Sequence, residues 1–292
     1  ACGPPASPHG RHTAGRVLPV ADRMNVFLTG ASSGIGAALA REFAGRGATL
    51  GLIARRQPLL DELIGTLPGS HHTYACDVTD RDALIAAARA FDAATGGADL
   101  VIANAGISEG VLTEYYEDLD AFRRVMDTNV LAMAHTFHPF IGPMRTRGRG
   151  TLVGIASVAG IRGLPGSEAY CASKAAAISY CESLRVELRK SGVKVVTIAP
   201  GFVRTPLTAK NPYRMPFLME PADFARAAAD KIVAGASYAV VPWQMGVVAK
   251  LLRLLPNWAF DRAFGNRPYK PRKAQAASAS DGTHGRPGEP RL

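Results

Sequence analysis

Asn25-Val-Phe-Leu-Thr29-Gly30-Ala-Ser-Ser-Gly34-Ile-Gly36 is the stretch from which the fold can be read. Residues 25–29 are a short apolar run that stops at glycine, and a helical pattern follows Gly36 and ends near Arg46-Gly47. The order is strand, glycine turn, helix. Gly30 permits the tight turn, Gly34 lets the backbone approach a pyrophosphate, and Gly36 lets helix and strand pack closely. Phosphates would sit at the helix N-terminus, where unpaired N–H groups and the helix dipole favour anions. A glycine-rich turn alone could be merely structural. With a strand before it and a helix after it, the turn predicts dinucleotide binding, with Ser32, Ser33 and Ile35 completing the loop.

Downstream, apolar runs alternate with helical periods. Residues 49–54 read as a second strand, followed at once by Arg55-Arg56. In NAD-binding proteins this strand end usually carries an acid for the ribose 2′-hydroxyl. No acid stands there. Two guanidiniums suit a 2′-phosphate instead, because arginine offers phosphate oxygens a planar fork, so NADP(H) is favoured over NAD(H). The bland alternative is a solvated basic turn. Residues 72–76 are a third strand ending in Asp77-Val78. Asp77 can accept a hydrogen bond from an adenine amino group, and Asp77 or Thr79 can cap the helix beginning near Arg81.

Residues 99–103 form a fourth strand, a continuous apolar run after Asp99 as in a parallel sheet covered on both faces. It ends in Asn104-Ala105-Gly106, small residues that allow a ribose to lie against the backbone. Residues 151–156 and 194–199 are the fifth and sixth strands. The fifth ends at Ser157, and the sixth leads into Pro200-Gly201-Phe202-Val203-Arg204-Thr205. Ligands of open α/β sheets lie beyond the carboxyl ends of the strands, although a lone serine there is usually a turn residue. An edge-type strand at 238–241 closes the pattern. The alternation predicts one α/β domain over residues 24–242, with a doubly wound, Rossmann-like parallel sheet and helices on both faces.

Tyr170-Cys-Ala-Ser-Lys174 opens a long helical pattern, so Tyr170 and Lys174 stand one turn apart on the same face. A phenol with a pKa of about 10 is a poor acid at neutral pH. An ammonium one turn away is expected to lower that value, and a tuned tyrosine can exchange a proton with a carbonyl or alcohol oxygen. Alone, the spacing also suits a surface pair on an amphipathic helix, and it is the other motifs that give it weight. Asn129 falls inside a helical pattern over 119–137, where asparagine is unfavourable. It marks either an exposed amide or a local break whose backbone carbonyl holds a water. Residues 206–219 lack a period and read as a mobile loop over the site. Tyr213, Met215, Phe217, Leu218 and Met219 offer that loop an apolar lining.

Apolar residues make up 47% of the chain, ordinary for a globular protein. The net charge of +10 is unevenly placed: residues 1–23 hold +2 and residues 267–292 hold +4. Basic ends attract polyanions and anionic membranes weakly, and no nucleic-acid-reading motif is present. Cys2, Cys76, Cys171 and Cys181 show no paired or metal-binding spacing and read as reduced thiols of a cytoplasmic protein, with no metal site. Residues 1–23 are expected to be a disordered leader, with Met24 a candidate original start. The basic tail from Arg267 is rich in Pro, Gly, Ser and Ala and is also expected to be disordered.

Residues 24–241 resemble the short-chain dehydrogenase/reductase family. Thr29-Gly30-x-x-x-Gly34-x-Gly36, Asp77-Val78, Asn104-Ala105-Gly106, Asn129, Ser157, Tyr170, Lys174, Pro200-Gly201 and Thr205 occur in the family's order. The resemblance implies hydride transfer between a nicotinamide and a carbonyl carbon. It makes Asn129, Ser157, Tyr170 and Lys174 the catalytic set, with Tyr170 and Lys174 also touching the cofactor. It assigns the Pro200 to Thr205 segment, Val203 included, to the nicotinamide carboxamide. In this reading Tyr170 is the general acid of reduction, Ser157 binds the substrate oxygen, Lys174 lowers the Tyr170 pKa and holds the ribose, and Asn129 holds a relay water. The expected substrate is a small-molecule carbonyl, apolar or lipid-like.

The alternatives are an NADPH-sensing regulatory protein on the same fold, which the intact catalytic set opposes, and a lyase or epimerase. The latter usually carries a longer C-terminal domain than this length allows. Long helices over 119–137 and 168–190 with apolar residues on more than one face predict a homodimer or homotetramer. Residues 243–266 read as an apolar helical extension split after Leu255 by Pro256. Its wide apolar face needs a cover, either the protein itself or a membrane surface beside the substrate entrance.

Overall fold

Seven parallel strands form the sheet of the computed structural model, which describes residues 24–209, 211–266, 268 and 270–272. They are β1 (Asn25–Thr29), β2 (Thr49–Ala54), β3 (His72–Ala75), β4 (Leu100–Ala103), β5 (Gly150–Ile155), β6 (Val193–Pro200) and β7 (Tyr238–Val241), in the order β3-β2-β1-β4-β5-β6-β7. The order reverses between β1 and β4, and a doubly wound sheet opens a crevice at that point. All four residues of β4 are buried, as a strand covered on both faces requires.

The period of two along β1 divides the core. Val26 and Leu28 face a layer that includes Phe43 of α1 (Gly34–Gly45), Leu60 of α2 (Gln57–Gly65) and Phe224 of α7 (Pro221–Val233). Phe27 faces the other layer, between Phe91 of α3 (Arg81–Thr95) and Phe140, at ring distances of 5.7 and 5.0 Å.

The helix expected over 119–137 is interrupted. α4 (Asp118–Met126) passes into a π-helical turn, Asp127–Leu131, before α5 (Ala132–Arg147) resumes. Asn129 sits in that turn and is buried, so the local break is correct and the exposed amide is not. α5 runs past 137 through Pro139 and Pro143, because Phe140 and Met144 anchor its second half in the core. α6 (Glu168–Glu187) follows.

α8 (Trp243–Leu254) and α9 (Asn257–Phe264) are separated at Leu255-Pro256, as the proline dictates. Arg162 joins the corner: its guanidinium donates to the carbonyls of Leu252 and Leu255 (the latter at 2.6 Å) and lies 4.0 Å over the Phe260 ring. The expectation of disorder from Arg267 needs correction at 270–272. Lys270 and Arg272 are buried against the domain, Lys270 by hydrogen bonds to Ser108 and Leu207 and Arg272 by its ion pair with Asp118, contacts that tail composition does not reveal. The leader expected at 1–23 and the tail beyond 272 lie outside the described residues.

Candidate active site

A cleft of about 670 Å³ opens at the carboxyl ends of the strands around the β1/β4 switch. It brings together Gly30, Ser32, Ser33, Gly34, Ile35, Gly36, Arg55, Arg56, Asp77, Val78, Asn104, Ala105, Gly106, Ser157, Tyr170, Lys174, Pro200, Gly201, Val203 and Thr205. Of the candidate residues only Asn129 lies behind the wall rather than on it.

The glycine loop is built for close approach. Gly30 and Gly34 have φ of 68° and 54°, the left-handed region that side chains disfavour. A Cβ on Gly36 would lie 2.1 Å from the Gly30 carbonyl oxygen. Ser33 precedes α1 with extended backbone, and its side chain makes no capping bond. Among the described residues no side chain caps the first-turn N–H groups, and this cradle fits a pyrophosphate. Thr29 braces the loop, its Oγ1 accepting from the N–H groups of Asn104 (3.1 Å) and Ala105 (3.2 Å). Asn104 Nδ2 donates to the Thr29 carbonyl at 2.9 Å.

At the far end of the cleft, Arg55 makes a long ion pair with Asp77, 3.9 Å between Nη1 and Oδ2, and is largely exposed. Asp77 Oδ1 accepts from Thr79 N (2.9 Å) and Oγ1 (2.8 Å). The residue that caps α3 is Asp80, which accepts from Ala83 N at 3.0 Å, and not Asp77 or Thr79. Asp and Thr recur at 77, 79 and 80, and sequence alone could not separate a turn-maker from a cap.

Ser157, Tyr170 and Lys174 meet deeper in. Ser157 Oγ accepts from Ala159 N at 3.1 Å, so the serine starts a 3-10 turn, Val158–Gly160, as well as facing the cleft. A Cβ on Gly160 would lie 2.6 Å from the Lys174 carbonyl carbon, so this turn is pressed against α6. Lys174 Nζ donates to the Ile155 carbonyl at 2.9 Å and lies 5.8 Å from the centroid of the Tyr170 ring. Asn129 Oδ1 accepts from Ile107 N at 2.8 Å, and its Nδ2 donates to Ile107 O at 3.0 Å and Ser173 Oγ at 2.9 Å. Ser173 Oγ in turn donates to the Tyr170 carbonyl at 2.8 Å. Sequence reading missed Ser173. Its signal was a hydroxyl in a helix three residues after Tyr170, where serine bonds back to the preceding turn. A Cβ on Gly106 would lie 3.2 Å from Asn129 Oδ1 and 3.5 Å from Lys174 Nζ, which shows how closely the three converge.

The electrostatics differ from the expectation in one respect. Burial pushes the Tyr170 phenol up to about 12, and a hydrogen bond with Ser157 pulls in the opposite direction. Burial pulls Lys174 down to about 8. Desolvation outweighs the Ser157 hydrogen bond, so the Tyr170 pKa is raised and the expected lowering is not what this environment produces.

The loop after β6 is pinned at both ends: Met219 N donates to Phe202 O at 2.9 Å, and Arg204 N to Met219 O at 3.0 Å. Pro206, Leu207 and Thr208 wall the cleft, and Thr205 packs against Gly34. None of the residues expected to give the cleft an apolar lining, Tyr213, Met215, Phe217, Leu218 and Met219, stands on its wall. Tyr213 packs against Phe202, Met219 turns into the core, and Phe217 is half exposed at φ 54°. The pinned loop ends set these directions.

A family model described as short chain dehydrogenase matches residues 24–215. The chain belongs to the short-chain dehydrogenase family. An uncharacterized oxidoreductase of Myxococcus xanthus is 43% identical over 240 residues, covering 81% of this chain and 94% of that protein. A sulfoacetaldehyde reductase of Chromohalobacter salexigens is 35% identical over 188 residues, 63% of this chain and 74% of that protein. The crystal structure of a short-chain dehydrogenase from Streptomyces avermitilis superposes with a TM-score of 0.70 at 26% identity, covering 84% of this chain and all of that one. As a short-chain dehydrogenase, the protein is an oxidoreductase that uses a nicotinamide cofactor to interconvert a carbonyl and an alcohol of a small molecule. Among the described residues no helix is long and apolar enough to cross a membrane.

Proposed function

We propose that this short-chain dehydrogenase is an NADPH-dependent reductase of apolar ketones, with Asn129, Ser157, Tyr170 and Lys174 as its catalytic set. The observation that carries the reading is the convergence of Ser157, Tyr170 and Lys174 in one cleft that also holds the phosphate cradle and ends in Arg55-Arg56. The cofactor, when bound, supplies the hydride. The first-turn amides of α1 hold its pyrophosphate, and Arg55 and Arg56 bind the 2′-phosphate. Asp77 and Val78 flank the adenine, and Pro200, Gly201, Val203 and Thr205 face the nicotinamide. Ser157 donates to the substrate oxygen and stabilises its developing charge. The Tyr170 hydroxyl gives that oxygen a proton. Lys174 holds the nicotinamide ribose, and the carbonyl of Asn129 holds a water through which the proton is replaced.

Ile107, Pro206 and Leu207 on the cleft wall, with Tyr213 nearby, support an apolar substrate. Leu119, Leu131 and Val186, all exposed on the α4–α6 side, support a homodimer or homotetramer, which light scattering of the full chain would register. The outer stripe of α8 and α9 supports peripheral contact of a cytoplasmic enzyme with an anionic membrane. Trp243, Val247, Leu251, Leu254 and Trp258 lie exposed there beside Lys250 and Arg253, and residues 242–260 contain no acid. The test of the activity is NADPH and NADH consumption with a panel of aliphatic, cyclic and aromatic ketones. The reading expects consumption of NADPH with apolar ketones. Tight NADPH binding without any turnover would overturn it.

A further inference from the structure

Residues 270–272 return from the C-terminal end to the lip of the cleft. Arg272 bridges in parallel to Gly110, and a Cβ on Gly110 would lie 2.3 Å from the Lys270 carbonyl oxygen, so the crossing requires glycine there. Lys270 Nζ donates to Ser108 Oγ at 3.0 Å and to the Leu207 carbonyl at 3.3 Å. Ser108 lies between Ile107 and Glu109, which wall the cleft on one side, and Leu207 walls it on the other. One ammonium thus ties together two loops that sequence separates by about a hundred residues.

Arg272 fixes the strap. Its Nε lies 2.6 Å from Asp118 Oδ2, and its Nη2 lies 3.2 Å from Asp118 Oδ1 and 3.0 Å from Glu117 Oε1. The guanidinium is 3.4 Å over the Tyr115 ring, and both Arg272 and Asp118 are buried. Asp118 also accepts from Leu112 N at 2.9 Å, so the ion pair sets the path of the whole segment from Ile107 to α4. A buried pair of this kind contributes little net stability against an apolar replacement of both partners, but it is directional.

We propose that Lys270 and Arg272 are positioning residues for substrate, holding the loop after β4 and the loop after β6 at the separation that admits the carbonyl compound. Neither takes part in the chemistry. The inference rests on the reading of this cleft as the substrate site.

Hydrogen–deuterium exchange on the full chain tests it without any substrate, using Lys270→Met, Lys270→Arg and Arg272→Met with NADPH as the probe of the cofactor half. Lys270→Met should raise exchange in both 107–111 and 205–209 by about threefold or more, with the sheet unchanged. Lys270→Arg should restore protection, and Arg272→Met should loosen 107–118 first. NADPH affinity should stay within about twofold of the parent in all three. With acetophenone, KM should rise in Lys270→Met while kcat holds. If acetophenone is not turned over by the parent, the ketone reading suffers and the exchange result still decides the strap. Unchanged exchange in both loops, or faster exchange spread through β1, β4 and β5, would overturn the proposal.

Discussion

Lys174 holds its ammonium 2.9 Å from the Ile155 carbonyl oxygen at the end of β5. The strand that leads into Ser157 and the helix that carries Tyr170 are therefore joined by one buried hydrogen bond. This bond sets the spacing of the two side chains that would face a substrate oxygen.

The same burial makes Lys174 titrate near 8 instead of 10.5. Between those values the unfolded chain binds more protons than the folded one, so stability rises with pH across that window. At roughly 1.4 kcal/mol per unit the gain is about 3 kcal/mol by the upper end. Lys174→Met lacks it. Urea denaturation at pH 7 and pH 10 should show the parent gaining on the variant by about 2–3 kcal/mol. A pH-independent difference would mean that burial does not lower the Lys174 pKa.

Arg55 and Arg56 should decide cofactor choice. Replacing both with serine removes charge-assisted bonds that only NADPH can make, a loss of about 2–3 kcal/mol, or roughly 30- to 150-fold in Kd. NADH binding should change little. Titration of both cofactors by fluorescence checks this, and equal losses would assign the arginines to stability.

Most of the sheet and of the cleft was legible because buried parallel strands are short apolar runs that end where the chemistry begins. Thr29-Gly30, Asn104-Ala105-Gly106 and Ser157 each stand at such an end. Asn129 was legible as a break, since asparagine inside a helix needs a reason, and the π-turn supplies it. What escaped was set by distance or by environment. Arg272 and Asp118 are 154 residues apart, and a basic, proline-containing tail reads as disorder until its partner is seen. The Tyr170 pKa went the other way because spacing reveals a neighbouring charge but not how much water is removed.

The exposed stripe of Trp243, Leu251 and Trp258 should bind lipid. Basic residues near an anionic surface contribute about 1 kcal/mol each, so the intact protein should co-sediment with phosphatidylserine vesicles at low salt. Trp243→Ala/Trp258→Ala should remain in the supernatant. If the parent also remains there, the stripe belongs to packing between subunits.

Tyr170→Phe tests the central claim most directly, because it removes one oxygen and leaves the ring in place. NADPH consumption with a ketone that the parent reduces should fall by about 10²–10⁴-fold, with NADPH affinity within about twofold of the parent. Turnover close to that of the parent would contradict the assignment of Tyr170 as the proton donor, and with it the account of the site.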